Sequence, residues 1–206
     1  MKKLKAFVLG LVFAPAPISF CFVGAWFTTA ALGFSEKVVS TAALSGLAVG
    51  LGVASIFLER WVKNAYKLSN KILAALYVYY SILAIGFGMG IPLFNYILGI
   101  AAGVYIVRRM YNAGADEAEY KRNVKKTAIF TAVIMLIVCC LMVLWGLAGR
   151  VSGKDFEVFF KALFGLKLSI DTAGFVGIIF FGACAMILLQ YWLTRLSAKI
   201  ALKLSR

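Results

Sequence analysis

The side chains that most often carry out chemistry are few in this sequence. Histidine is absent, which removes the commonest general base and the commonest metal ligand. The eight acidic residues are Glu36, Glu59, Asp116, Glu117, Glu119, Asp155, Glu157 and Asp171. All of them lie in predicted loops or at the ends of apolar segments, where a carboxylate is not a sign of function. The sequence therefore predicts no enzyme, no cofactor and no metal site.

The four cysteines are interpreted as packing residues. Cys21, Cys139, Cys140 and Cys184 all fall inside apolar segments. Buried cysteine usually behaves as a small apolar side chain, and the sequence has no CxxC pair for redox or cluster chemistry.

Neutral polar side chains inside apolar segments are the best candidates for a binding site or pathway. They are Ser19, Tyr77, Tyr80, Ser81, Asn95 and Gln190. Tyr77, Tyr80 and Ser81 are spaced i, i+3, i+4, so they share one helix face and predict a wall of hydroxyls. The alternative is that the tyrosines form an interfacial belt, since Tyr77 is only about two helical turns from Lys71.

Two prolines close to the start of the chain indicate a broken helix. Pro15 and Pro17 each remove an N–H donor and disfavour the helical conformation of the residue before them. We expect them to interrupt the first membrane span and to face the bundle interior. The carbonyls freed near positions 11 and 13 would need a donor from Ser19, a neighbouring helix or water. A simple kink with tilt is the alternative.

These residues must be positioned by membrane helices, because the composition is far too apolar for a soluble domain. The chain has 206 residues, of which 63% are hydrophobic and 15% charged, and its mean hydropathy is +0.94. Charge-free runs predict six spans at 6–33, 39–58, 72–89, 91–107, 127–149 and 172–194. The predicted fold is all-α, a six-helix transmembrane bundle forming one domain over 1–206. One long span plus a re-entrant piece remains open for 72–107.

The first span resembles a secretory signal, since a basic start and an apolar run precede Ala-Pro-Ala. A signal's apolar region is about 7–15 residues long, whereas no charge occurs here between Lys5 and Glu36. The sequence therefore predicts a retained span.

The basic residues predict the orientation. Seventeen of the 22 Lys and Arg residues fall on one predicted side and five on the other. The positive-inside rule then places both termini in the cytoplasm, with the chain in the plasma membrane. The net charge of +14 is accordingly a topology signal, and no nucleic-acid partner is expected.

Three segments at the membrane surface are predicted to be helical. Residues 115–126 should continue directly into the fifth span, with acidic residues first and basic residues last. Residues 154–164 should form an outer interfacial amphipathic helix. The C-terminal stripe of Arg195, Lys199 and Lys203 predicts contact with anionic lipid or a partner, or is an ordinary basic helix end.

Small residues recur every four positions in several predicted spans. They are Ala6, Gly10 and Ala14; Ala42, Gly46, Gly50 and Ala54; Gly86 and Gly90; Gly99 and Gly103. Such ladders let helix backbones approach closely, either within the chain or against another membrane subunit.

With six predicted spans and the ladder Ala6, Gly10, Ala14, the chain resembles the substrate-binding S-components of energy-coupling-factor importers. The resemblance implies that small residues of the first helix dock a transport subunit. The sequence departs from that family in its short first outer loop, 34–38. Two functions are expected: a small-molecule transporter or its substrate-binding subunit, and alternatively a non-catalytic scaffold of a membrane complex.

Overall fold

The structure is a computed structural model that describes residues 9–10, 12–86, 93–145 and 172–204. The described residues are almost entirely helical and contain no strand, which confirms the all-α prediction. Among the described residues, three helical stretches are long and apolar enough to cross a membrane, namely Glu36–Lys67, Glu117–Leu144 and Val176–Lys203. The six-span bundle stays a prediction. These three stretches fit a membrane protein.

Six α-helices follow one another in the described part of the chain. They are α1 (Pro15–Ala31), α2 (Glu36–Asn64), α3 (Asn70–Gly86), α4 (Leu93–Asn112), α5 (Glu117–Trp145) and α6 (Thr172–Lys203). A 3₁₀ turn, Ala65–Lys67, follows α2, and residues 9–10 and 12–13 are helical before α1. Several helices extend beyond the predicted spans, because charged residues at the helix ends continue the helix past the charge-free run.

The fifth predicted span shows this extension clearly. As predicted, residues before 127 run directly into it, because α5 already begins at Glu117. The Asp116 carboxylate accepts a hydrogen bond from the Glu119 N–H at 2.6 Å, which caps the helix. Lys121 and Glu117 form an i,i+4 ion pair at 2.8 Å. The predicted interfacial helix at 154–164 lies outside the described residues.

Contacts divide the chain into two units, Met1–Leu76 and Tyr77–Arg206, and the division falls within α3. The prediction of a single domain over 1–206 stays a prediction. Each unit has its own helix packing and is described by itself.

In the first unit, α1 and α2 form an antiparallel hairpin. Its turn includes Gly33 at φ +74°, a left-handed conformation that glycine adopts without strain. Gly46 lies against the Cys21 carbonyl, and Gly50 lies against Ile18. A Cβ at Gly50 would be 2.6 Å from Ile18 Cα, so only glycine allows this approach. The ladder of small residues in α2 therefore packs within the chain.

In the second unit, α4, α5 and α6 form a three-helix bundle. Gly99 lies against Gln190 and Gly103 against Ser197, so α4 and α6 run parallel. Tyr120 bonds to Ala198 and Thr131 to Thr194, so α5 runs antiparallel to α6. The three helices thus alternate in direction along the chain, as consecutive membrane crossings would. Their apolar core cluster consists of Val107, Val124, Ala198 and Ala201.

Candidate functional site: a buried polar seam

One face of α6 presents polar side chains to the interior of the second unit. Gln190, Thr194 and Ser197 are spaced i, i+4, i+7 and are all buried. Thr131 of α5 and Tyr77 of α3 contact this face and are buried as well. We call Tyr77, Thr131, Gln190, Thr194 and Ser197 the polar seam. Its members are neutral hydroxyls and an amide, so it can bind through hydrogen bonds without adding or removing charge.

Two glycines of α4 make room for the polar seam. A Cβ at Gly99 would overlap the Gln190 amide and would lie 2.9 Å from Thr194 Oγ1. A Cβ at Gly103 would overlap the Ser197 hydroxyl and the Thr194 backbone carbonyl. The predicted pair Gly99–Gly103 therefore serves packing within the chain, and it brings the α4 backbone directly against polar side chains.

Hydrogen bonds join the polar seam across three helices. The Thr131 and Thr194 hydroxyls are 3.0 Å apart, and Gln190 Nε2 donates to the Tyr77 hydroxyl at 3.3 Å. Each threonine hydroxyl also lies within hydrogen-bond distance of a carbonyl of its own helix. Thr131 Oγ1 is 3.1 Å from the Ala128 carbonyl oxygen, and Thr194 Oγ1 is 3.0 Å from the Gln190 carbonyl oxygen. Because each hydroxyl carries one proton, two protons serve three bonds, and one bond is unmade at any instant.

Two amide oxygens have no donor among the described residues. They are Asn95 Oδ1 and Gln190 Oε1, and their residues are 2% and 0% exposed. A buried acceptor without a donor costs about 1–3 kcal/mol. Reversing the Gln190 amide would let Oε1 accept from the Tyr77 hydroxyl, but Nε2 would then lose the partner it has now. Each of these two oxygens could accept a hydrogen bond from an additional N–H or O–H donor.

The predicted residues of α3 are buried too. Tyr77 and Tyr80 are each 8% exposed, and Ser81 donates to the Tyr77 carbonyl at 2.9 Å. The Tyr77 ring also packs edge-on against Phe130 at 5.5 Å between centroids. Burial of both tyrosines argues against the alternative of a lipid-facing belt. The structure thus brings Tyr77 and Gln190 into direct contact, with Asn95 one helical turn before Gly99 on α4.

One part of the expectation for the prolines is contradicted, namely the conformation of the residue before Pro15. Ala14, which precedes Pro15, stays in the helical region at φ −64°, ψ −41°, and its N–H donates to the Gly10 carbonyl at 2.8 Å. The expected departure from the helical conformation is therefore wrong at Ala14. Pro15 sits at the first position of α1, where the missing N–H matters least.

Ser19 lies one helical turn after Pro15 in α1. Its hydroxyl reaches the Pro15 carbonyl at 2.6 Å and the Ala16 carbonyl at 3.2 Å, within its own helix. A serine hydroxyl in a helix bonds readily one turn back, as here. That Ser19, a neighbouring helix or water supplies the donor near positions 11 and 13 stays a prediction. Pro15, Pro17 and Ser19 belong to the first unit. Pro15 is exposed, and the Pro17 carbonyl faces Gly50, so the α1–α2 contact covers one of the two prolines.

Sequence reasoning did not single out Thr131, Thr194 or Ser197. For Thr194 and Ser197, the sequence feature that could have indicated them is the helical spacing of Gln190, Thr194, Ser197 and Ala201, which places small and polar residues on one face of α6. The sequence pattern emphasised an apolar stripe of leucines in α6 instead, although Leu193 and Leu196 are only partly buried and Leu204 is exposed.

Comparisons with known proteins give no family for the chain: it matches no protein-family model, no curated protein and no solved structure. The expected likeness to S-components stays an expectation. The function has to be inferred from the polar seam itself.

Proposed function

We propose that the protein is a six-span protein of the plasma membrane, with both termini in the cytoplasm. We further propose that it binds a small polar molecule at the Gln190 end of the polar seam, together with Asn95 of α4, as a transporter or as the substrate-binding subunit of one. Asn95 lies one helical turn before Gly99, which contacts Gln190. The observation that carries the proposal is a pair of buried oxygens, Asn95 Oδ1 and Gln190 Oε1, for which the described residues supply no donor.

A purely structural role for the polar seam explains its hydrogen bonds but not its two oxygens without a donor among the described residues. Hydrogen bonds between membrane helices contribute on average about 0.6 kcal/mol, and they do so when both partners are satisfied. The Thr131–Thr194 contact fits this role. The amide oxygens of Asn95 and Gln190 do not fit it, because a buried oxygen without a donor, as these are among the described residues, costs more than such a bond contributes. A bound molecule that donates hydrogen bonds would offset this cost.

The donor inventory indicates the chemical class of the bound molecule. Oxygens that lack a donor recognise O–H or N–H groups, whereas an anion would require donors or positive charge from the protein. The polar seam consists of neutral groups, so it supports a neutral molecule with hydroxyl or amine-type donors over an anionic one.

The helix directions are compatible with the proposed topology. The parallel pair α4 and α6, with α5 antiparallel between them in sequence, matches spans four, five and six of a chain that crosses the membrane each time. The distribution of basic residues supports the cytoplasmic placement of both termini.

The alternative function, a scaffold of a membrane complex, was based on small-residue helix faces that could contact another subunit. Several of these faces contact helices of the chain itself. Gly46 and Gly50 contact α1, and Gly99 and Gly103 contact α6, so these small-residue faces are occupied within the chain. A second subunit docked on them would have to displace a helix of the protein itself. The polar seam is therefore the better basis for a function.

Native mass spectrometry of the purified chain, extracted in a mild detergent, tests the proposal. The wild type should retain a small-molecule adduct, which fragmentation identifies. Gln190→Leu, which removes the amide while keeping a side chain of similar size, should lose it. Ser55→Ala is the matched control, because that exposed hydroxyl bonds only to the Leu51 carbonyl of its own helix at 2.8 Å. An adduct that survives in both Gln190→Leu and Asn95→Leu would disprove binding at the polar seam.

A further inference from the structure

One end of the second unit is surrounded by basic side chains. The core cluster of Val107, Val124, Ala198 and Ala201 marks the place where the ends of α4, α5 and α6 meet. The Tyr120 hydroxyl donates to the Ala198 carbonyl at 3.1 Å and joins α5 to α6 there. The basic residues follow or flank these core positions in sequence, so the packing brings them to one end.

We call these residues the basic collar. It consists of Arg108 and Arg109 from α4, Lys121, Arg122, Lys125 and Lys126 from α5, and Arg195, Lys199 and Lys203 from α6. All are exposed except the half-buried Arg108 and Arg109. The acidic residues near this end are Asp116, Glu117 and Glu119, and Glu117 is already paired with Lys121. A large excess of positive charge therefore remains at this end.

The outer face of α6 shows what kind of partner fits this charge. Trp192, Arg195, Lys199 and Lys203 are spaced i, i+3, i+7, i+11 and lie opposite the buried face that carries Gln190. Trp192 is exposed and lies one turn from Arg195, whose guanidinium stacks over the Tyr191 ring at 5.5 Å. Tryptophan next to basic residues is typical of a helix at the level of lipid headgroups.

Exposed apolar side chains adjoin the basic stripe. Ile200 is 51% exposed and Leu204 is 74% exposed, both on the same helix turns as Lys199 and Lys203. A free anion would satisfy the charges but would leave these side chains in water. A phospholipid supplies an anionic headgroup together with an acyl chain that covers them.

We propose that the basic collar binds anionic phospholipid headgroups, with Arg195, Lys199 and Lys203 as the principal contacts. This site is separate from the polar seam and lies on the opposite face of α6, so the inference does not depend on the proposed function. One basic residue near an anionic membrane surface strengthens binding by about fivefold. Removing three should therefore weaken it by roughly a hundredfold.

The test is a lipid titration of the purified full chain in a neutral detergent, followed by its thermal unfolding midpoint. Palmitoyl-oleoyl phosphatidylglycerol should raise the midpoint at a lower concentration than palmitoyl-oleoyl phosphatidylcholine. The triple variant Arg195→Gln, Lys199→Gln, Lys203→Gln should need about a hundredfold more phosphatidylglycerol for the same shift. The triple variant Arg195→Lys, Lys199→Arg, Lys203→Arg keeps the charges and should respond like the wild type.

Further controls show whether the effect requires a lipid or any anion, and whether a variant has lost lipid binding or has failed to fold. Inorganic phosphate at the same concentration should not reproduce the effect, and 0.5 M NaCl should weaken it by screening. If the triple Gln variant does not fold, the single variant Lys199→Gln should show about a fivefold loss. Equal responses to both lipids, a full effect of phosphate alone, or an unchanged response of the Gln variants would each overturn the proposal.

Discussion

Two glycines of α2 allow a stringent test of the helix packing in the first unit. Gly50 and Gly52 lie two residues apart in the same helix, but their surroundings are opposite. A Cβ at Gly50 would lie 2.6 Å from Ile18 Cα and 2.8 Å from the Pro17 carbonyl oxygen. A Cβ at Gly52 would meet nothing within 4 Å. The perturbation is the change of each glycine to alanine in separate variants.

The expected magnitudes follow from two terms. Alanine is favoured over glycine inside a helix by about 0.5–1 kcal/mol, which applies to both variants. At Gly50 the new methyl group meets backbone atoms, which cannot rotate away, so overpacking costs about 2–3 kcal/mol. Gly52→Ala should therefore stabilise the protein slightly, and Gly50→Ala should destabilise it by about 1–2 kcal/mol. Because the helix term cancels in the comparison, the difference of about 2–3 kcal/mol reports the contact with α1 alone.

Thermal unfolding of both variants in the same detergent, followed by far-UV circular dichroism, measures this difference. For a chain of this size, 1 kcal/mol corresponds to about 2–4 °C, so the two midpoints should be about 4–12 °C apart. Gly24→Ala in α1, where a Cβ also meets nothing within 4 Å, is a second control and should behave like Gly52→Ala. Coinciding midpoints for Gly50→Ala and Gly52→Ala would refute the close packing of α1 on α2 at this position.

Two further predictions concern the interior of the second unit. A double-mutant cycle of Thr131→Val and Thr194→Val should give a coupling of about 0.6 kcal/mol in unfolding free energy, and a coupling near zero would contradict the bond between α5 and α6. Asn95→Leu should raise the thermal midpoint in ligand-free detergent, because it removes a buried acceptor that costs about 1–3 kcal/mol. A lower midpoint for Asn95→Leu would mean that a donor already satisfies Oδ1 in the purified protein.

The parts of the fold that could be predicted from the sequence depend on local physics. A helix is the conformation that satisfies its own backbone in an apolar environment, so charge-free runs located the helices well. The ladder of Gly46 and Gly50 was also informative, because a helical repeat of small residues has few uses other than close packing. Helix ends were harder to predict, since charged residues such as Glu117 and Lys121 extend a helix beyond its charge-free run.

The candidate site was predicted only in part, since its contacts depend on tertiary packing. Gln190 and Asn95 stood out because an amide is costly in an apolar segment. Thr131 and Thr194 did not, because a threonine hydroxyl can always bond to its own helix, as Thr131 does with the Ala128 carbonyl. Their pairing depends on the rotation of α5 and α6 about their axes and on the absence of side chains at Gly99 and Gly103. Neither condition follows from the residues of one helix.

The depth of the polar seam follows from the residues on the opposite face of α6. Trp192 and Arg195 fix the level of the headgroups on the proposed assignment, and Thr194 precedes Arg195 directly. Gln190 lies five residues before Arg195, about 7.5 Å along the helix axis, whereas half of the hydrocarbon core is about 15 Å thick. With the basic collar at the proposed headgroup level, the polar seam would begin at that level and reach about halfway to the bilayer centre. On the proposed function and topology, a polar molecule bound at Gln190 would have its shorter route from the side of the basic collar, which is the proposed cytoplasmic side.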